Sequence, residues 1–272
     1  MDADSTQAAP PGSGPQRVFA ATQAWPLHDA LATRRLETAA LAAAAPHALM
    51  ARAGLATARL ALAVAPHARR VLVLAGPGNN GGDAVVAAMH LRHLGRAVTV
   101  LGVADRARLP ADAAEAWTRA RAQGLPMTGD LAEMAGADLL IDGLLGLGAD
   151  RAPAGPLAAA IAAANACACP ILAIDLPSGL SADHGRVLGE QAIRAHWTLS
   201  LLSLKPGLFT GAGRDHAGDV WFDDLGVAGG AAQAWLGART AAPPPGFAPR
   251  RHAQHKGSFG DLHVVGGAPG MT

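Results

Sequence analysis

Between Gly76 and Asp83 the chain reads Gly-Pro-Gly-Asn-Asn-Gly-Gly-Asp, with four glycines in seven positions. Glycine-rich backbone ahead of a helix exposes N–H groups that suit a phosphate. Asn79 and Asn80 add amides, and Asp83 adds a carboxylate able to take or give a proton. Together they point to a nucleotide site with chemistry in it, not only a cradle. Two later stretches again combine a carboxylate with glycine: Asp142-Gly143-Leu144-Leu145-Gly146-Leu147-Gly148 and Asp175-Leu176-Pro177-Ser178-Gly179.

Each candidate also has a plainer reading. Asp83 can be a helix N-cap, worth about 1 kcal/mol, ionised and a poor base. Asn79 and Asn80 can serve turn dihedrals. Asp142 and Asp175 can cap the turns after their strands, and Ser178 can be a turn hydroxyl. Lys205 can bind a phosphate or close a strand end. His90 and His93 sit three apart with no glutamate to complete a zinc pattern. Ser178-Gly179 lacks the Gly-x-Ser-x-Gly elbow, and the first loop lacks the lysine of an ATP-hydrolysing P-loop. A nicotinamide oxidoreductase would need a ribose-binding acid about 20 residues past the glycines, a place that Asp105 could fill.

The elements around these stretches explain how they meet. Apolar runs at 71–74, 97–103, 138–141, 170–174 and 197–202 read as strands, with 220–222 as an edge strand. The segments 83–94, 111–123 and 157–167 read as helices between them. Such alternation predicts a mostly parallel sheet covered on both faces. In that sheet all strand C-termini share one edge, so Asn80, Asp83, Asp142, Asp175 and Ser178 can share one crevice. Residues 25–65 read as two helices broken near Pro46.

Composition narrows the class. The 272 residues are 50% hydrophobic, enough for a large core, and the formal net charge is +1. That charge gives no reason to expect nucleic acid or an anionic membrane as partner. The only lysines are Lys205 and Lys256. Cys167 and Cys169 lack a second ligand pair and read as small apolar residues in a reduced compartment. The expected protein is soluble and cytoplasmic. Residues 1–16 read as a disordered start and 229–250 as a Gly- and Pro-rich linker. Residues 251–272 read as the opening strand and loop of another domain.

The three ordered stretches resemble the NAD(P)H-hydrate epimerases. So do Leu49-Met50-Ala51-Arg52-Ala53-Gly54, Leu204-Lys205-Pro206-Gly207-Leu208 and Thr210-Gly211. The resemblance runs from about Ala24 to Val227, which sets an epimerase domain at 17–228. The tail, with His255-Lys256-Gly257-Ser258-Phe259-Gly260, is similar to the start of the ADP-dependent NAD(P)H-hydrate dehydratase domain. The chain looks like a fusion of the two domains cut short, with no dehydratase activity expected from these residues.

The resemblance implies a Rossmann-like three-layer α/β fold with N-terminal helices. It implies interconversion of the R and S hydrates of NADH and NADPH (NADHX and NADPHX), as the epimerase half of a bifunctional repair enzyme. A non-catalytic nucleotide-binding module and an NAD-dependent oxidoreductase are the alternatives. Substrate binding maps onto Asn79, Asn80, Gly81, Gly82, Asp83, onto Gly146, Leu147, Gly148, Ala149, Asp150, Arg151, Ala152, and onto Asp175. A potassium ion maps onto Asn80, Asp142 and Ser178, oxygen donors that suit a hard cation. Asp83 is the expected acid and base, and Asp175 the expected orienting carboxylate. The expected assembly is a homo-oligomer, at its smallest a dimer. Two positions depart from the family pattern: Leu147 stands where threonine is usual, and Ala84 where glycine is common.

Overall fold

The structure, a computed structural model, describes residues 14–19, 24–103, 108–232 and 234–236. The N-terminal residues 1–13, Asp105 and the tail 251–272 lie outside the described residues.

The strands are β1 (Gln16–Arg17), β2 (Trp25–Leu27), β3 (Arg70–Ala75), β4 (Ala97–Gly102) and β5 (Met127–Thr128). Then come β6 (Leu139–Gly143), β7 (Ile171–Ile174), β8 (Trp197–Leu201), β9 (Asp219–Asp223) and β10 (Ala234–Leu236). The helices are α1 (Ala30–Ala43), α2 (Ala48–Val64), α3 (Asn79–His93), α4 (Ala111–Ala122), α5 (Pro156–Ala166) and the short α6 (Gly213–His216).

Eight strands form one sheet in the order β1-β9-β8-β7-β6-β3-β4-β5, and every pairing but β1 with β9 is parallel. The core strands carry apolar residues on both faces: Val71, Leu72, Val73 and Leu74 are all buried. One face packs against α2, α3 and α4 through Met50, Leu60, Val85 and Trp117. The other packs against α5 and a 3₁₀ turn over Leu131–Gly136, through Ile161 and Met134. This is the three-layer arrangement expected from sequence. The chain leaves β3 toward β4 and β5, then returns to β6 on the other side of β3. The order therefore reverses between β3 and β6, where open parallel sheets bind ligands.

Five local readings change. Strand β9 is not an edge, because β1 pairs outside it. Gln16 thus belongs to a strand and not to the disordered start. Residues 25–27 form β2, not the head of a helix; Pro26 lacks an N–H, and α1 begins only after the Asp29 cap, whose carboxylate accepts from Ala32 N–H at 2.7 Å. Within the expected linker, Ala234–Leu236 pairs with β2 as β10, since an apolar tripeptide can add to a strand edge by backbone bonds alone.

The last correction matters most. Helix α3 starts at Asn79 with Gly78 as cap, so Asp83 is its fifth residue and not its N-cap. Gly81 and Gly82 are helical. A side chain on Gly81 would strike the Gly76 backbone, and one on Gly82 would meet Met50 Sδ at 2.8 Å. These glycines let α3 sit close to the β3 loop and α2. Gly143 likewise leaves room for the Ala84 methyl, which accommodates that departure from the family pattern.

Candidate active site

A cavity of about 640 Å³ opens at the β3–β6 reversal, walled by α1, the N-terminus of α3 and the loops after β6 and β7. Asn79, Asn80, Asp83, the whole stretch from Gly146 to Ala152, and Asp175 line it. Asp142 and Ser178 lie just beneath, buried to 0% and 1% exposure. The residues chosen from three distant stretches therefore meet. The N–H groups of Asn79 and Asn80 open α3 and have no acceptor within the helix.

Asp142 ends the β6 run and is held from two sides. Its Oδ2 accepts from Ser178 N–H at 2.8 Å, and its Oδ1 from Ser178 Oγ–H at 2.6 Å and Leu144 N–H at 3.1 Å. Burial pushes its pKa up to about 6, against the opposing pull of the Ser178 hydrogen bonds. Asn80 donates through Nδ2 to the Leu145 carbonyl at 2.9 Å and the Ile174 carbonyl at 3.2 Å. Its Oδ1 is buried with no partner. A buried carboxylate with no cation beside it and an orphaned amide oxygen next to the same loop fit a hard cation such as potassium. Among the described residues no cluster of three or more His, Cys, Asp or Glu suits another metal.

Asp175 follows β7 in a left-handed conformation, φ 67°, which a short polar side chain tolerates better than a bulky one. This aims its carboxylate at two donors. Lys205 Nζ reaches Oδ1 at 2.5 Å, and Leu147 N–H reaches Oδ2 at 2.9 Å. The contact to Leu147 is a backbone one and does not depend on the missing threonine. Lys205, 1% exposed, closes the strand region and also touches the cavity. Its ammonium is engaged with Asp175, the Leu201 carbonyl and Ser200 Oγ.

Asp83 differs from both. It makes no hydrogen bond and keeps part of its surface open to the cavity. Burial raises its pKa well above the usual carboxylate range, and the charges of Asp175, Glu37 and Asp112 push the same way. It therefore holds a proton more readily than a cap would, which removes the objection raised by the capping reading.

Sequence reasoning missed the α1 wall. Thr33, Arg34 and Glu37 line the cavity. Burial raises the Glu37 pKa, and Asp175 adds to the rise; Lys205 and Arg34 oppose it. The available signal was spacing: Thr33, Glu37 and Leu41 recur every four residues, placing an acid within one helix face.

Residues 46–207 match the family described as YjeF-related protein N-terminus. The chain belongs to that family. It is 44% identical over 183 residues to the NAD(P)H-hydrate epimerase of Bordetella pertussis (strain CS), covering 66% of this chain and 80% of that protein. It is 37% identical over 235 residues to the bifunctional NAD(P)H-hydrate repair enzyme Nnr of Escherichia coli K12, covering 82% of this chain. The match spans 44% of that bifunctional relative. In fold it resembles the crystal structure of yeast ynu0, YNL200c, with a TM-score of 0.60 and 20% identity, over 66% of this chain and 82% of that one. That likeness extends to the mostly parallel sheet flanked by helices described above.

Proposed function

We propose that this chain interconverts the R and S forms of NAD(P)H hydrate. The observation that carries the reading is Asp83: a carboxyl with no hydrogen bond, its pKa raised by burial well above the usual carboxylate range, in a cavity beside the N–H groups that open α3. The names of the Bordetella and Escherichia relatives supply the substrate class.

The residues divide the work. Backbone N–H groups of Asn79 and Asn80, with those of the 146–152 loop other than Leu147 and Ala149, hold the phosphates; the N–H groups of Gly81 and Gly82 already donate to the Gly78 carbonyl. Asp83 gives and takes the proton at the hydrated carbon. Asp175 orients the hydrate or ribose; each of its oxygens already accepts one bond and can accept another. Potassium, held by Asn80, Asp142 and Ser178, would offset the negative charge of the site.

The same reading divides the chain into an epimerase unit at 17–228 and a dehydratase start at 251–272, with β10 inside the segment between. A homo-oligomer, at its smallest a dimer, and a cytoplasmic location belong to it as well. Among the described residues no single helix is long and apolar enough to cross a membrane.

The test uses R-enriched NADPHX with a separate S-specific dehydratase and ATP, against spontaneous epimerisation without protein. Acceleration that falls by about 10²–10⁴ in Asp83→Asn supports the reading. Nucleotide binding with no acceleration would favour the binding module, and hydride transfer read at the NADH absorbance band would favour the oxidoreductase.

A further inference from the structure

Epimerisation at the hydrated carbon demands two proton-handling groups. That carbon, C6, carries a hydroxyl and the ring nitrogen. The nitrogen lone pair can expel the hydroxyl, breaking C6–O and forming an N1=C6 iminium. The departing oxygen takes a proton from an acid and leaves as water. Water then attacks the other face; its lone pair makes the new C6–O bond, the π pair returns to nitrogen, and a base takes the released proton. Atoms and electrons balance with no oxidant. One carboxyl cannot comfortably reach both faces of a bound ring.

The cavity contains few groups free for the second role. Asp175 and Lys205 are committed to each other at 2.5 Å. All three Lys205 protons have acceptors: Asp175, the Leu201 carbonyl and Ser200 Oγ. Asp112 meets His47 at 2.8 Å. Asp150 is exposed on its loop. The guanidinium groups of Arg34 and Arg151 only donate and offer no acceptor for a proton. Two carboxyls remain without a hydrogen bond or ion pair, Asp83 on α3 and Glu37 on α1. They enter the cavity from different helices.

Helix α1 is fixed firmly enough to aim Glu37. Asp29 caps it, Asp183 accepts from Ala30 N–H at 2.7 Å, and Thr33 Oγ shares a 2.7 Å hydrogen bond with Ser203 Oγ, two residues from Lys205. Glu37 lies one turn beyond Thr33 on the same face.

We propose that Glu37 is the second catalytic acid–base residue, working on the face of the nicotinamide ring opposite Asp83. Each carboxyl is the acid in one direction of the reaction and the base in the other. The inference rests on the epimerase reading above.

The experiment compares wild type with Glu37→Gln and Glu37→Asp in the coupled NADPHX assay. Binding of unhydrated NADPH, read by fluorescence, and the thermal midpoint report whether the pocket and fold persist. The expected result is a fall in kcat of about 10²-fold or more in Glu37→Gln. KM and NADPH binding should change by less than about threefold, and Glu37→Asp should recover part of the rate. A Glu37→Gln loss under about tenfold, or equal losses in both variants together with a fallen midpoint, overturns the proposal and leaves the epimerase reading standing. A wild-type chain with no acceleration overturns both.

Discussion

Lys205 Nζ sits 2.5 Å from Asp175 Oδ1 at the floor of the cavity, with the ammonium 1% exposed and the carboxylate side chain 13% exposed. Neither charge has much water to fall back on. Removing one partner leaves the other buried and unpaired, which costs about 3–5 kcal/mol. Lys205→Met should therefore lower unfolding stability by roughly that amount in urea titrations. Asp175→Asn keeps a side chain that tolerates positive φ, so the double variant Lys205→Met/Asp175→Asn should recover more than about 1 kcal/mol of the summed loss. Simple additivity of the two single losses would show that the pair contributes nothing as a pair.

The raised pKa of Asp142 makes the proposed cation site sensitive to pH. Its pKa is about 6 in the folded chain against 3.8 as a free side chain. Between those values the folded state holds more protons than the unfolded one, so stability from this group falls as pH rises through that window. A cation beside Asp142 favours its ionised form and offsets that loss, because metal binding competes with protons. Potassium chloride should thus raise the thermal midpoint more at pH 8 than at pH 5, relative to tetramethylammonium chloride at equal ionic strength. Equal shifts at both pH values would separate Asp142 from the ion.

Two adjacent glycines of α3 should respond unequally to alanine. The new methyl at Gly81 would strike the Gly76 backbone, which cannot move without shifting the β3 loop. At Gly82 the nearest atoms belong to the far end of the Met50 side chain, which can swing away, although the Ala113 Cα at 3.0 Å still crowds the site. Alanine in a helix also gains up to about 1 kcal/mol over glycine. Gly81→Ala should lose about 3 kcal/mol and Gly82→Ala about 1 kcal/mol in chemical denaturation. The reverse order would mean that the backbone contact is softer than that of the thioether.

The same glycines show where sequence reading stops. Two glycines after two asparagines resemble a turn, because glycine is poor in a helix interior. Only the close approach of the Gly76 carbonyl, and of the Met50 methyl from a distant part of the sequence, reveals that they are packing residues. Glu37 was hidden for a related reason: a single acid four residues after Thr33 looks like solvated helix surface until the cavity is seen. By contrast, Asn80, Asp142, Asp175 and Ser178 were legible, because parallel strands deliver their C-terminal residues to one edge regardless of side-chain detail. The hydrogen bonds among them were not legible. Nothing in the spacing says that Asp175 adopts φ 67° or that Lys205 lies beneath it.

Leu147 isolates what one hydroxyl contributes. Its N–H already donates to Asp175 Oδ2 at 2.9 Å, and its side chain packs, half-buried, against the cluster containing Leu176 and Leu208. Leu147→Thr preserves the backbone bond and places a hydroxyl on the cavity loop. It also removes apolar contact, at a cost of about 1 kcal/mol in folding stability. If that loop faces the substrate phosphates, the added donor should strengthen binding by about 1 kcal/mol. The coupled NADPHX assay should then show KM falling about fivefold with kcat unchanged, the pattern of a contact made equally in ground and transition states. An unchanged KM would mean that this loop recognises the substrate through its backbone alone, and that leucine at this position sacrifices nothing.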